Sequence, residues 1–433
     1  MTINLKNFLK DKNKLSKMGE FQVLEPIEGL EISAVSADLY GDGRDDLCLF
    51  YFKEGANYAA VYTNNSICSE SITWNRHLRK TLIKALMVNT KNANTFTGQQ
   101  GLEGVETISK SLAKFLTLRE SQKKDGTTQA IKPNEILFAS TGVIGEKYPT
   151  QKIKNNLQNL VEKLREKQNK FVWFKAASSI MTTDTRPKLA FETCRVWNKD
   201  IKLSGIAKGS GMIAPNMATM LGFITTDVVI TPELLQSSLS QANEISFNCI
   251  TVDTDTSTND TVLVLATGAA NHTKIESDTD PNYEVFCKGL TYVCTELAKM
   301  IARDGEGATK LVEILIENAQ TKSDAIKAAR AVAESPLVKT AIFANDANWG
   351  RFMMAIGKSG AIFDPYQVNI FVDDYQIVRN GMNAGYKEET ASEYLNSDII
   401  QIRIDLGAGI RTAKFWSCDY SYDYIRINAD YRT

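Results

Sequence analysis

The sequence predicts an α/β protein of layered helices and sheets, and three observations carry that prediction. Segments with apolar residues at helical spacing alternate along the chain with short apolar segments of strand type. Several of the strand-type segments, such as EILFAST at 135–141, are apolar enough to read as buried. The chain has 433 residues, more than one core usually holds, so two or three subdomains are expected.

The elements follow in order. Residues 45–63 read as two short strands joined at Gly55-Ala56-Asn57. Leu102, Val105, Ile108, Leu112 and Leu116 share one face of a helix over 100–117. A polar loop at 121–133 leads to the strand EILFAST, which runs into a glycine turn. Ile153, Leu157, Leu160, Val161 and Leu164 mark a second amphipathic helix over 152–169. Residues 204–222 are rich in glycine, methionine and isoleucine and follow no helical period; TMLGFITTD then reads as a short strand. Thr231-Pro232-Glu233 opens a helix with an N-cap, a first-turn proline and an early acid. CITVD at 249–253 and TVLVLATG at 261–268 read as strands around a polar loop. A helix over 283–302 ends at Asp304-Gly305-Glu306-Gly307, before the strand LVEILI. Ser323 is placed to cap a further helix through Val332, and the tail over 400–430 alternates as strands do.

Composition narrows the function. Hydrophobic residues are 43% and charged residues 23%, as in an ordinary soluble globular chain. A net charge of −1 offers no electrostatic footprint for nucleic acid. No run of about 18 apolar residues predicts a membrane span. Seven cysteines without a CxxC, and no visible signal peptide, point to reduced thiols and a cytoplasmic-type compartment. The Lys-rich start lacks arginine and a small-residue cleavage site, so a transit peptide is the weaker reading. Only two histidines occur, His77 and His272, and neither has a ligand partner at metal-site spacing. Acyl or proton transfer here would therefore use another base.

The segment from Lys208 to Leu221, KGSGMIAPNMATML, is the least ordinary in the chain. It is not a phosphate loop, because the lysine precedes the glycines and a strand follows. A second reading has the Thr219 hydroxyl attack the carbonyl of Ala218, after which the ester hydrolyses. Thr219 then carries a hydroxyl beside a new α-amine, whose ordinary pKa of about 7.7–8 suits a base at working pH. Such a threonine–amine nucleophile needs no histidine. A plain glycine loop before a core strand also fits the segment. Thr141-Gly142, at the end of a buried strand, offers a hydroxyl and an unobstructed backbone N–H for an oxyanion, and equally an ordinary strand-to-loop turn.

These pieces together resemble the ornithine acetyltransferase (glutamate N-acetyltransferase) family of arginine biosynthesis. The motifs are STGVIGE at 140–146, IMTTDT at 180–185, KGSGMIAPNMATML at 208–221 and FNCITVDTDTSTNDT at 247–261. DGEGATK at 304–310, NDANWGR at 345–351 and the terminal INADYRT continue the series, and VNTKNANTFTG at 88–98 is similar more loosely. The resemblance implies an N-terminal-nucleophile-like α/β sandwich core and a smaller C-terminal α+β domain. It implies a cut between Ala218 and Thr219. Residues 1–218 would form an α chain with most of the core and the oxyanion hole. Residues 219–433 would form a β chain with the nucleophile strand, the rest of the core to about 300 and the C-terminal domain from about 305. Two chains of each kind would make a heterotetramer.

Carried over by motif, Thr219 is the nucleophile, and Thr141 and Gly142 form the oxyanion hole. Thr182, Lys208, Thr219, Glu306, Asn428 and Thr433 contact substrate. The implied reaction passes acetyl from N2-acetylornithine to Thr219 and then to glutamate. Lys208 is suited to the substrate carboxylate and Glu306 to its ammonium. Acetyl-CoA would enter as a second substrate rather than a bound cofactor, and no residue decides whether it does. The chain departs from the family at Lys91 and Thr254, where glycine is usual, and at Thr95-Phe96, where Ala-Cys is usual. Two alternatives stand beside this reading: an N-terminal-nucleophile amidase or aminopeptidase, and an uncleaved calcium-binding protein organised on the acidic loop Asp38–Asp46. That loop lacks the late glutamate of an EF-hand.

Overall fold

A computed structural model describes residues 21–78, 82–122, 130–214 and 220–430. Ala218, Thr219 and Thr433, the Lys-rich start and residues 123–129 of the polar loop lie outside them. The chain divides into two compact units. The first is Met1–Gly209, Asn216–Glu244 and Thr256–Leu297; the second is Ser210–Pro215, Ile245–Asp255 and Ala298–Thr433.

The first unit holds β1 (Leu30–Val35), β2 (Leu47–Tyr62), β3 (Ile83–Asn89), β4 (Ile136–Ser140), β5 (Lys188–Val196), β6 (Lys199–Lys208), β7 (Leu221–Thr226) and β8 (Thr261–Ala266). They form one sheet in the order β4-β3-β2-β8-β7-β6-β5, with β1 also paired to β2. The predicted strand pair over 45–63 is in fact the single 16-residue β2. Residues 47–51 pair with β3, and residues 57–62 pair with β8. The β2–β3 ladder shifts register between Tyr51 and Ala56, around Gly55 at φ +92°, so the chain bends where a turn was expected.

That bend makes a sandwich. Cys48, Phe50 and Phe52 face an inner core shared with Leu86 and Val88 of β3, Phe223 of β7 and Leu263 of β8. The Phe50 and Phe223 rings lie 6.0 Å apart. Each large side chain so buried contributes roughly 1.5–3 kcal/mol. On the outer face, Leu47, Leu49 and Tyr51 pack against α2 (Gly98–Gln122) and α3 (Thr150–Glu162), which follow the short α1 (Glu70–His77). α4 (Lys170–Ser179) closes the inner core with Trp173, Ala176 and Ala177. α5 (Pro232–Glu244) begins as predicted, with the Leu234 N–H donating to the Thr231 hydroxyl at 3.4 Å. α6 (Pro281–Arg303) lies against β6, where Gly205 leaves room for Val293 and Leu297. The helix–sheet–sheet–helix layering gives the α/β sandwich that was expected.

Two predictions fail, one in this unit and one in the second. The helix over 152–169 ends at Glu162, because Arg165 leaves it to make a backbone bridge with Ile32 of β1. Asn169 then caps α4, accepting from the Phe171 and Val172 N–H groups. The strand predicted at 249–253 is a single 3-10 turn, Phe247–Cys249, followed by one bridge from Ile250 to Trp416. Asp253 bends the backbone there by accepting the N–H groups of Met212 and Ile213.

The second unit is α+β. β9 (Leu311–Ala319), β10 (Asn369–Val372), β11 (Tyr375–Arg379), β12 (Met382–Asn383), β13 (Ile399–Asp405) and β14 (Arg411–Cys418) form a sheet in the order β12-β11-β10-β13-β9-β14. Alternation sets its buried face, with Ile400, Ile402 and Ile404 on β13 opposite Val312, Ile314 and Ile316 on β9. Its helices are α7 (Lys322–Ala333), α8 (Pro336–Phe343), α9 (Trp349–Gly357), α10 (Glu388–Leu395) and α11 (Tyr422–Ala429). The α7 cap is Thr321 and not Ser323, since the Thr321 hydroxyl accepts from the Asp324 N–H. The tail ends in α11 instead of a strand, because Ser421 caps it by accepting from the Asp423 N–H. All seven cysteines are free thiols. No helix among the described residues is long and apolar enough to cross a membrane.

Candidate active site

In the first unit the site is built on the end of β4. Its five residues are all buried and pair in parallel with β3, so the chain leaves the sheet at a fixed point. Thr141 continues the ladder by donating its N–H to the Asn89 carbonyl at 3.1 Å. Gly142 turns away at φ +132°. A Cβ on Gly142 would lie 2.1 Å from the Lys91 carbonyl carbon and 2.6 Å from the Asn92 nitrogen, so only glycine fits. Val143 clasps the same loop, donating to the Lys91 carbonyl and accepting from the Ala93 N–H. The Gly142 N–H itself has no acceptor among the described residues.

Asn259 fastens this turn from behind. Its side-chain amide donates to the carbonyls of Ala93 at 2.6 Å and Ser140 at 2.8 Å, and its oxygen accepts from the Thr95 hydroxyl at 2.9 Å. Thr95 is therefore a buried member of the support under Thr141.

Lys208, the last residue of β6, is buried. Its ammonium donates to the Thr182 hydroxyl at 3.0 Å and lies 3.4 Å from the Thr141 hydroxyl. Asp184 organises the backbone around it, accepting from the Thr182 N–H at 3.1 Å and the Gly209 N–H at 2.6 Å. The Lys188 ammonium reaches the same carboxylate at 2.7 Å, and this pair is fully buried. Burial alone would raise the Asp184 carboxyl. The charges of Lys188 and Lys208 and the Gly209 N–H outweigh it and hold Asp184 well below the usual carboxylate range. Asp184 is thus a fixed anion that keeps Lys208 and Thr182 in place.

In the second unit Glu306 is also buried. It donates its N–H to the Ser210 carbonyl at 2.8 Å and accepts from the Asn428 side-chain amide at 2.9 Å. Gly211 packs on its carboxylate, where a Cβ would come within 2.4 Å. Asn428 stands on α11, which is tied to the Glu306 turn by the Ser421 hydroxyl donating to the Gly307 carbonyl.

Of the residues singled out in the sequence, Thr141, Gly142, Thr182 and Lys208 are therefore brought together in one unit, and Glu306 and Asn428 in the other. Ala218, Thr219 and Thr433 are outside the described residues. Asp184, Asn259 and Asp260 were not singled out, although they sit inside the IMTTDT and TSTNDT segments. Their signal was the density of short polar residues in otherwise buried stretches.

The Asp38–Asp46 loop is organised by protein groups. Asp46 accepts the N–H groups of Ala37 at 2.6 Å and Leu39 at 2.7 Å, Asp42 accepts from the Arg44 N–H, and Asp45 pairs with Lys175 at 3.3 Å. Among the described residues no three His, Cys, Asp or Glu side chains converge as metal ligands. At Lys91 and Thr254, where the resemblance implies glycine, the backbone is left-handed, with φ +70° and +71°.

A model of the ArgJ family matches residues 31–433. The chain is 41% identical over 419 residues to the arginine biosynthesis bifunctional protein ArgJ of Bartonella quintana (strain Toulouse), covering 95% of this chain and 97% of that protein. It is 42% identical over 390 residues to the protein of the same name from Oceanobacillus iheyensis, covering 90% and 91%. Among solved structures, the arginine biosynthesis bifunctional protein ArgJ of Bacillus halodurans is 44% identical, with a TM-score of 0.48 over 49% of this chain and 100% of that one. With the family model matching residues 31–433 and the two ArgJ proteins matched over nearly the full length, the chain belongs to the ArgJ family.

Proposed function

We propose that the chain cuts itself between Ala218 and Thr219 and then transfers acetyl from N2-acetylornithine to glutamate through an ester on Thr219. Membership of a family whose curated relatives are named arginine biosynthesis bifunctional proteins supports this reading. One observation carries it in the structure. The Lys208 ammonium is shared between the Thr141 and Thr182 hydroxyls, in the same turn as the Gly142 N–H, which has no acceptor among the described residues. That arrangement suits a hydroxyl and an amide N–H meeting a developing oxyanion, with a buried cation next to them. Thr219 attacks the acetyl carbonyl while its α-amine takes the hydroxyl proton and passes it to the departing ornithine amine. Glutamate then reverses the sequence and leaves as N-acetylglutamate. The proposal assigns Lys208 to the substrate carboxylate and Glu306 to its ammonium, with Asn428 holding Glu306 in place and Thr433 a further contact. It includes a heterotetramer of two α and two β chains, a cytoplasmic location and no bound cofactor, and it leaves open whether acetyl-CoA is a second donor.

The test is acyl trapping. Incubation with N2-acetylornithine and no acceptor should add one acetyl mass to the peptide beginning at Thr219. Added glutamate should remove it as N-acetylglutamate; release as acetate alone would make the protein an amidase. Thr141→Ala should slow transfer by ~10²–10³-fold. A folded Thr219→Ala protein that still transfers acetyl would end the proposal. Running the assay with acetyl-CoA in place of acetylornithine decides the second donor.

A further inference from the structure

One buried acid of the first unit has no place in the scheme above. Asp260 immediately precedes β8 and is 3% exposed. The Met220 N–H, just before β7, donates to its Oδ1 at 2.8 Å, and the Thr261 N–H donates to the Met220 carbonyl at 3.0 Å. The paired starts of β7 and β8 therefore lock the carboxyl in position. Among the described residues its Oδ2 is buried without a hydrogen bond of good geometry, although the Thr63 hydroxyl lies close enough to favour the charged form.

The groups around it are committed elsewhere. The Thr63 hydroxyl donates to the Ser257 carbonyl at 2.6 Å, Lys208 to Thr182, and the Asn259 amide to Ala93 and Ser140. A buried carboxyl oxygen left in this way is uncommon and points to a use. Burial pushes the Asp260 carboxyl well above the usual range, although the Met220 N–H, the Thr63 hydroxyl and the Lys208 charge all act the other way. Its carboxylate is correspondingly a better base.

The need for such a group comes from the chemistry of the uncut chain. Before the cut, the Thr219 nitrogen is an amide and cannot serve as base for its own hydroxyl. The two histidines are held by local backbone, His77 at the Thr73 carbonyl and His272 by the Val229 N–H. Three covalent bonds separate the Thr219 nitrogen from the Met220 nitrogen that Asp260 binds.

Resting on the self-cleavage proposed above, we propose that Asp260 is the proton shuttle of that cleavage. As the bond from Thr219 Oγ to the Ala218 carbonyl carbon forms, the Asp260 carboxylate takes the hydroxyl proton. As the Ala218–Thr219 C–N bond breaks, it hands that proton to the departing nitrogen. Water then hydrolyses the ester, which leaves a carboxylate on Ala218 and restores the Thr219 hydroxyl beside its new amine. Asp260 ends as it began, and no other reactant is consumed.

Full-length chain made by cell-free translation, followed by intact mass at several pH values, tests the shuttle. Wild-type processing should speed up as pH rises and Asp260 loses its proton. Asp260→Asn keeps an oxygen for the Met220 N–H but cannot carry the proton. It should process at least ~100-fold more slowly and lose the rise with pH, while its far-UV circular dichroism and melting match wild type. Asp260→Glu restores a carboxyl on a longer arm, and should process faster than Asp260→Asn with a displaced pH profile. A folded Asp260→Asn chain cut at the wild-type rate would overturn the shuttle and leave the transferase reading intact. If Asp260→Asn does not fold, a folded Asp260→Glu chain with an unchanged profile would overturn it equally. A wild-type chain that never yields a Thr219 terminus would instead remove the reading on which the shuttle rests.

Discussion

At the residue scale, Lys91 and Thr254 show what a side chain costs where the backbone favours glycine. Both hold a left-handed backbone that glycine adopts without strain and that costs other residues about 1–2 kcal/mol. Thr254 is branched at Cβ and exposed, so little offsets the strain. Lys91 recovers some of it by placing its ammonium 5.6 Å from the Tyr40 ring centre, while Arg44 stacks on that ring at 3.1 Å. Thr254→Gly should therefore raise stability by about 0.5–1 kcal/mol, after allowance for the freer unfolded chain. Lys91→Gly should be close to neutral. Thermal unfolding of the two variants checks the contrast, and a destabilised Thr254→Gly would show that the left-handed turn is not strained. The same scale shows the limit of sequence reading. Thr141, Gly142 and Lys208 could be picked out because each has an evident chemical use, whereas Thr182 was singled out only through the family resemblance. Asp184, Asn259 and Asp260 act by holding backbone groups, and which backbone groups lie nearby is decided by strands far apart in sequence.

At the element scale, what was legible followed period and caps, and what was missed followed long-range pairing. The helices over Gly98–Gln122 and Pro281–Arg303 were anticipated from their apolar faces, and the start of α5 from Thr231-Pro232. Gly55 was misread because a glycine between two apolar runs signals a turn locally, whereas β8 and β3 capture the two runs as one bent strand. Close packing of α6 on β5 and β6 was likewise invisible in its sequence. A Cβ on Gly289 would lie 2.0 Å from Cys194 Sγ and 3.3 Å from Leu203 Cδ1. Gly289→Ala should thus destabilise by about 1–3 kcal/mol, outweighing alanine's better helix propensity. Adding Cys194→Ala should recover part of that loss by clearing the space. Chemical denaturation of the single and double variants measures both, and a stabilised Gly289→Ala would contradict this packing.

At the scale of the whole molecule, the eight-stranded sheet has a consequence for the proposed cut. Strands β7 and β8 come from residues 219–433 and lie next to each other in the sheet. Their outer neighbours, β6 on one side and β2 on the other, come from residues 1–218. Cutting one peptide bond would leave both ladders intact, so the two chains would stay together for as long as the sheet does. What changes is the molecularity of the way back. An uncut chain that unfolds can rebuild the sheet by itself, at a rate independent of its concentration. Two chains that have come apart must first find each other, so one bond broken on the outward journey turns a first-order return into a second-order one. After dilution from denaturant, sheet recovery of the uncut Thr219→Ala chain should keep the same half-time across a tenfold dilution, while the cut protein slows in proportion. Identical half-times would mean that the chains never separate or were never two. By this route a single early hydrolysis would make folding a history-dependent event: the molecule would be easiest to assemble once, as one chain, before the cut that arms it.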